Sequence, residues 1–539
     1  MQARGPGRLD PGDAVSAEHD VVVAGAGHNS LVAAAYLARA GLSVLVLEAA
    51  DEIGGDTRSG PLALAGYEHD LCSTAHNLIQ SSPTLRNDEL GLFAHGLEYL
   101  HPDPVCHIPF PDGASLTMWR DAQATAEEIA RFSRRDADAY LRLLSDYAEI
   151  APLYGRWRYT PVGSGPALES LLAGAAGGSR WLRVAAMAAA DVVNHLFEEP
   201  HVCAFLLWMA FMTMNPLERP GGGMLAYSLV FGRQRDSWVL PRGGSSALAR
   251  ALRRVIEACG GEIRTSEPVR ALVVEGGRCT GVETASGEQF RARRGVLSTI
   301  HLKHLIEMAP AAAWGEDFLF AVDTWQAGIP MFVAHYATST PLRVASASGA
   351  IDVVAAGTPG SVERMLAVEH DVRRGRVVTD DPVLLVLCPS VADPSRAPAG
   401  RHTLKVVGFQ PYDPGGGPER WDEIKHEVAA ANLAHLRRYA PGLGEEAILE
   451  SDVRSPLDLE RQNAHNWRGS CHGGDAGPAQ SGPLRPAAGF AAHRMPIPGL
   501  YQTGATTHPG GSVSAGPGRN AAAVILEDCG MALEDVVAR

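Results

Sequence analysis

Two glycines one residue apart, Gly25 and Gly27, and the three residues after them, His28, Asn29 and Ser30, are the first positions whose types and spacing suit a chemical task. Before them lies a β-branched run, residues 20–24 (DVVVA). After them the Ala and Leu positions of LVAAAYLARAG have helical spacing, and Gly41 can end that helix. Gly25 permits a tight turn, Gly27 lets backbone approach a pyrophosphate, and the helix start offers unpaired N–H groups and a positive dipole end to phosphates. Ser30 takes the third fingerprint position, where a residue need only be small enough for helix and strand to pack. A second apolar run, residues 42–47, ends at Glu48, whose carboxylate can accept hydrogen bonds from ribose hydroxyls. Strand, glycine turn, helix, strand and acid in this order point to a bound dinucleotide, without saying which one.

Three further segments carry candidate residues. Gly54 and Gly55 follow Glu48 closely, and a double glycine there lets backbone lie near the dinucleotide. Residues 504–518, GATTHPGGSVSAGPG, form a glycine-rich stretch that feeds a helical run through residue 526, a second anion-friendly site. Within it Gly504, Gly511, Ser512 and Val513 are the candidate contacts. Residues 466–475, NWRGSCHGGD, are dense in polar and glycine residues. His472 there, and His508 in the glycine-rich stretch, are each read either as an acid or base at an active site or as a histidine fixed within its loop.

The elements that must position these residues can be read in outline. Residues 251–260 look helical, and 262–265, 271–275, 281–284 and 296–299 look like short strands. With 539 residues the chain is long enough for two to four domains. Sixty-one acidic against 47 basic residues give a formal net charge of −14, which argues against a nucleic-acid partner. Eight scattered cysteines include no CxxC pair and no metal-ligand spacing, so a reducing compartment is the simplest reading and no metal is expected. Residues 1–18 read as a disordered tail without a signal peptide. The longest apolar run, residues 202–214 (VCAFLLWMAFMTM), is too short to span a bilayer. It reads as a buried core helix, or else as the wall of an apolar channel or a shallow membrane contact. The expected location is cytoplasmic, with peripheral membrane contact left open. Tyr67, His69 and Asp70 are read as structural. There is no Ser-His-Asp order, no HExxH, no P-loop and one good dinucleotide fingerprint.

VVVAGAGHNSLVAAAYLARAGLSVLVLEAADEIGG and GLYQTGATTHPGGSVSAGPGRNAA together resemble the phytoene desaturase and carotenoid isomerase group of FAD enzymes, which includes FAD-type carotenoid ketolases and PYROXD-like relatives. AGHN and THPGG…PGRNA are the most specific matches. LPRGGSSAL at 240–248 resembles the segment that returns the chain to the FAD domain, and the following Glu267-Pro268-Val269 sits where such enzymes pass backbone near the adenine. The resemblance is strong at both ends and over 240–300, and weaker over 120–235 and 305–460.

It implies an α/β fold: a Rossmann-type FAD-binding domain of the amine oxidase and phytoene desaturase topology, interleaved with an α+β substrate domain. The FAD domain would combine 19–75, 236–305 and 495–535, and the substrate domain 76–235 and 306–494. The C-terminal helix dipole would then face the N1–C2=O edge of the flavin. The implied reactions are desaturation, saturation, isomerisation or ketolation of apolar or natural-product substrates by hydride transfer. Oxygen or a quinone would be a natural electron acceptor. The oligomeric state is not legible. Two alternatives stay open: a flavin amine oxidase, and a non-catalytic FAD-binding protein.

Overall fold

The computed structural model describes residues 18–347 and 349–538. The tail read at 1–18 therefore lies, apart from Glu18, outside the described residues. The first strand, His19–Ala24, alternates its valines between two cores. Val21 and Val23 face the helix His28–Arg39, while Val22 faces the opposite layer with Leu45, Leu47 and Leu272. A strand buried on both faces suits the middle of a parallel sheet. It pairs in parallel with Val44–Leu47 on one side and with Gln289–Ser298 on the other. Glu262–Arg264 extends the sheet beyond Val44–Leu47, and Leu500–Gln502 extends it beyond Gln289–Ser298. The helices Ser246–Ala258 and Gly516–Asp528 join His28–Arg39 on one face.

Gln289–Ser298 serves two layers. Its last residues belong to the parallel sheet, while Gln289–Arg291 pair antiparallel with Arg278–Thr284, which pairs in turn with Val269–Glu275. Only its end, residues 296–299, reads as a strand in the sequence. QFRARR looks like solvated loop because its charged side chains alternate out of an edge hairpin. The expected helix and remaining strands are present, with ends displaced by a few residues.

A second sheet of seven strands runs in the order Ile448–Arg454, Met331–Thr338, His402–Phe409, Leu384–Leu387, Ala355–Thr358, Cys106–Pro109, Ser115–Met118. Neighbours are antiparallel except for Ala355–Thr358 against Cys106–Pro109. Period-two alternation gives its central strands two different faces. Phe332, Ala334, Leu404 and Val406 pack under the helix Trp421–Arg437, whereas Met331, Lys405, Val407 and Phe409 point into a cavity.

The apolar run near residue 202 forms the helix Pro200–Phe211, whose residues from Val202 to Phe211 are all buried. Trp208 stacks on Trp238 and donates its indole N–H to the Leu384 carbonyl at 3.1 Å. A Cβ at Gly357 would lie 2.2 Å from the Trp208 ring, so this strand needs glycine there. Both readings of the run hold in part: the helix is core, and Met209, Met212 and Met214 at its end line the cavity. Among the described residues no helix is long and apolar enough to cross a membrane.

Asp70, read as structural, belongs to a fully buried ion cluster. Arg396 lies 3.0 Å from Asp70 and 3.2 Å from Asp393, all with no side-chain exposure. Asp70 also accepts the Ser245 N–H, and Asp393 the Gly243 N–H. Three distant stretches are thereby welded together beside the first sheet. Removing one partner of such a cluster leaves an uncompensated buried charge.

Candidate cofactor and active site

The glycine turn is built by sterics and by two carboxylate bonds. Gly25 has φ +98°, and a Cβ there would lie 2.5 Å from Thr299 Cγ2. Gly504 has φ +94°, and its Cβ would lie 2.6 Å from Thr299 Oγ1. One threonine thus touches both glycine segments. The segments meet again at Gly518, whose Cβ would lie 2.1 Å from the Asn29 carbonyl. The helices Gly516–Asp528 and His28–Arg39 pack as closely as backbone allows.

A Cβ at Gly27 would meet nothing within 4 Å, so space lies in front of this helix start. His28 Nε2 and Asn29 Oδ1 are buried with no protein partner, and His28 and Asn29 both line the cavity. Open space before exposed N–H groups, ringed by unpaired polar atoms, fits a phosphate-bearing ligand. Ser30 donates to the Gly25 and Gly27 carbonyls at 2.6 and 2.9 Å and thus closes the turn from beneath. Glu48 accepts the Ala26 N–H at 2.6 Å on one oxygen and the Ala50 N–H at 2.9 Å on the other. Each oxygen keeps capacity for a hydroxyl donor. Glu48 therefore shapes the turn as well as facing the cavity.

The cavity measures about 660 Å³. Gly25, Gly27, His28, Asn29, Glu48, Gly55, Val269, Gly504, Ser512, Val513 and His472 all contribute to its wall. Ser30 and Gly54 do not: Ser30 bonds the turn, and Gly54 donates its N–H to the Ala26 carbonyl and packs toward Ala249. Gly511 and His508 face a second, neighbouring cavity. His508 lies edge-on against Trp157, and its Nε2 is 3.0 Å from the Trp157 carbonyl. A Cβ at Gly511 would collide with His472 at 2.6 Å, so this glycine seats His472.

The inner wall holds residues that sequence reasoning did not select. Lys405 donates to the Asp70 carbonyl at 3.1 Å, to the Cys72 carbonyl and to Thr74 Oγ1 at 3.3 Å. Burial lowers its pKa. Asp56 accepts the Asn463 and Asn466 side-chain amides on the same oxygen, each at 2.9 Å, and its other oxygen has no protein donor among the described residues. Asp56, Cys72 and Cys471 bring a carboxylate oxygen and two sulfurs within 4.8 Å of one another. No spacing rule joins residues so far apart in the chain. One signal was legible: Lys405 is a lone charge in the middle of an otherwise apolar strand, HTLKVVGF. Burial drives the His28 and His472 imidazoles down to about 4, so both are neutral at pH 7 and can only accept a proton or donate through N–H.

Residues 31–526 match the sequence profile described as flavin containing amine oxidoreductase. A limonene dehydrogenase subunit of Castellaniella defragrans is 28% identical, with 95% of each chain covered. The neurosporene-forming phytoene desaturase of Cereibacter sphaeroides is 27% identical over 91% of each chain. Among solved structures, cyclohexylamine oxidase from Brevibacterium oxydans is similar in fold, with a TM-score of 0.55, 16% identity, and coverage of 95% of this chain and 100% of that one.

Proposed function

This chain belongs to the flavin-containing amine oxidoreductase family and is an FAD-dependent oxidoreductase, and within that family we propose that it moves hydride between an apolar, natural-product-like carbon substrate and the flavin rather than oxidising an amine. The supporting observation is the inner wall. Met209, Met212, Met214, Met331, Leu385 and Leu387 offer a substrate flexible apolar contact. The same wall carries Lys405 and Arg233, which disfavour a protonated amine by like charge. The names of the limonene and phytoene relatives agree with such a substrate.

Bound FAD supplies the two-electron acceptor for the hydride. The chain's own groups would do the rest. Gly27 and the N–H groups of the His28–Arg39 helix would hold the diphosphate, Glu48 the ribose, and Val269 the adenine side. Ser512 and Val513, leading into the N-terminus of Gly516–Asp528, would place a positive dipole end where negative charge gathers. The methionine wall would exclude water and hold the apolar substrate in place for the transfer. In a desaturation one C–H bond leaves as hydride, and the adjacent carbon must then lose a proton. The free oxygen of Asp56 and the neutral imidazole of His472 are the acceptors on the wall. Re-oxidation by oxygen or a quinone completes the cycle in this reading. A shallow membrane contact would suit delivery of so apolar a substrate.

The test is anaerobic mixing of purified holoenzyme with two panels. Cyclic terpenes and polyenes should bleach the yellow flavin absorbance, and primary amines should leave it intact. Bleaching by amines with none by any hydrocarbon would reverse the assignment.

A further inference from the structure

A second cavity of about 1590 Å³ adjoins the first. Ala75, Thr213, Met214, Arg233, His472 and Ser512 belong to both walls, so the two spaces meet at a neck. The charge of the outer space runs against that of the chain. In a protein of net charge −14, seven arginines line this cavity against two acids, Glu169 and Asp236. Several arginines are already engaged. Arg219 pairs with Asp475, Arg235 pairs with Asp236, and Arg485 directs its N–H groups to backbone carbonyls. Besides Arg485, whose partners are carbonyls alone, four have no carboxylate partner among the described residues: Arg86, Arg156, Arg158 and Arg233.

Arg233 is the one at the neck. Its guanidinium lies 3.5 Å from the centre of the Trp238 ring and donates to the Asn77 side-chain oxygen. Both partners fix its direction, and neither neutralises it. Burial pushes its pKa down to about 10, and no carboxylate among the described residues offsets that cost. Keeping an unpaired guanidinium beside an apolar chamber is costly unless an anion arrives from outside. Planar guanidinium groups bind carboxylate and phosphate oxygens through paired N–H bonds. Arg158, over the Tyr154 ring at 5.1 Å, lines the outer side of the same space.

We infer that the substrate is an amphiphile with an anionic end, a carboxylate or a phosphate, which Arg233 grips at the neck while the apolar body lies along the methionine wall. This rests on reading the methionine-lined space as the substrate chamber. It adds that the chamber fixes its ligand by one end, so that the apolar body meets the flavin in one register.

The experiment is a calorimetric titration of the FAD-loaded protein with decanoate, decyl phosphate, decanol and methyl decanoate. Either anion should bind about tenfold or more tightly than the neutral probes, the scale of one charge-assisted contact. The ratio of the two anions then identifies carboxylate or phosphate as the preferred end. Arg233→Gln should erase the preference, and Arg233→Lys should keep part of it. Arg156→Gln, on the exposed rim, should leave it unchanged. Flavin content and melting temperature of each variant report its folding. Equal binding of charged and neutral probes by the wild type, or a preference that survives in Arg233→Gln, would overturn the inference. Because binding is measured without turnover, bleaching by amines would defeat the proposed reaction and leave this result standing.

Discussion

Gly27→Val tests the proposed phosphate site apart from the fold around it. Gly27 has φ −67° and ψ 160°, a conformation open to any L-residue, and a Cβ there meets nothing within 4 Å. The apoprotein should therefore fold normally. The new isopropyl group instead fills the space in front of the helix start, where the diphosphate would lie. Losing two charge-assisted N–H contacts at about 1.5–3 kcal/mol each removes ~3–6 kcal/mol of binding. That is roughly a hundred- to ten-thousand-fold in Kd for FAD. The variant should purify colourless, and fluorescence titration of wild-type and variant apoproteins with FAD gives the two constants. The two apoproteins should melt together. The holoproteins should separate, because ligand stabilisation follows ln(1 + [L]/Kd). Gly25→Val is the contrasting control: positive φ and Thr299 at 2.5 Å predict a folding defect instead. Stoichiometric flavin in Gly27→Val would refute the placement of the diphosphate.

Glu48→Ala should weaken FAD binding by ~1–3 kcal/mol and also lower the melting temperature of the apoprotein, since the Ala26 and Ala50 N–H groups lose their acceptor. An effect on binding with none on the apoprotein would mean that Glu48 does not hold the turn. Gly357→Ala should cost ~1–3 kcal/mol of stability by forcing Trp208 aside, with flavin content per folded molecule unchanged. A variant that melts with the wild type would contradict the tight ring contact. Burial lowers His69, His493 and His508 to about 4 and His76 to about 3, from an ordinary 6.5. The unfolded chain then binds more protons than the folded one at pH values between these limits. Stability should be complete above about pH 6.5 and fall as pH drops toward 4, with up to ~3 kcal/mol from one such histidine. Melting temperature against pH measures this, and His508→Gln should flatten the slope. A melting temperature constant over the window would show that these rings are not buried neutral.

The legible parts of the site were those whose logic is local. A strand, a turn and a helix that contact one another within thirty residues leave their periodicity and their glycines in the sequence. So Gly25, Gly27, His28, Asn29 and Glu48 could be picked out from the sequence, and all five line the cavity. Long-range pairing left no such trace. Lys405, on the strand His402–Phe409, meets the carbonyls of residues 70 and 72 from more than 300 positions away, and Cys72 meets Cys471 across a gap as wide. His508 reads in the sequence as either an active-site acid or base or a histidine fixed within its loop, and its ring turns toward Trp157 on a helix that no local pattern could place beside it. Gly54 shows the converse. The glycine was legible, but its partner is the glycine turn and helix packing rather than the cavity. The charged start of Gln289–Ser298 was hidden because edge hairpins expose alternate residues, and exposure erases the hydrophobic signal.

Thr299, the residue after the strand Gln289–Ser298, stands as a wedge between Gly25 and Gly504, and Leu500–Gln502 zips onto that strand. During synthesis the ribosome releases the first glycine segment hundreds of residues before the second. Until the stretch through Asp528 has emerged and docked, the bay has one jaw. On the proposed placement of the flavin its capture would be a late event in the life of each molecule, and a ribosome stalled upstream of Leu500 would carry a chain without the helix Gly516–Asp528 that packs against His28–Arg39.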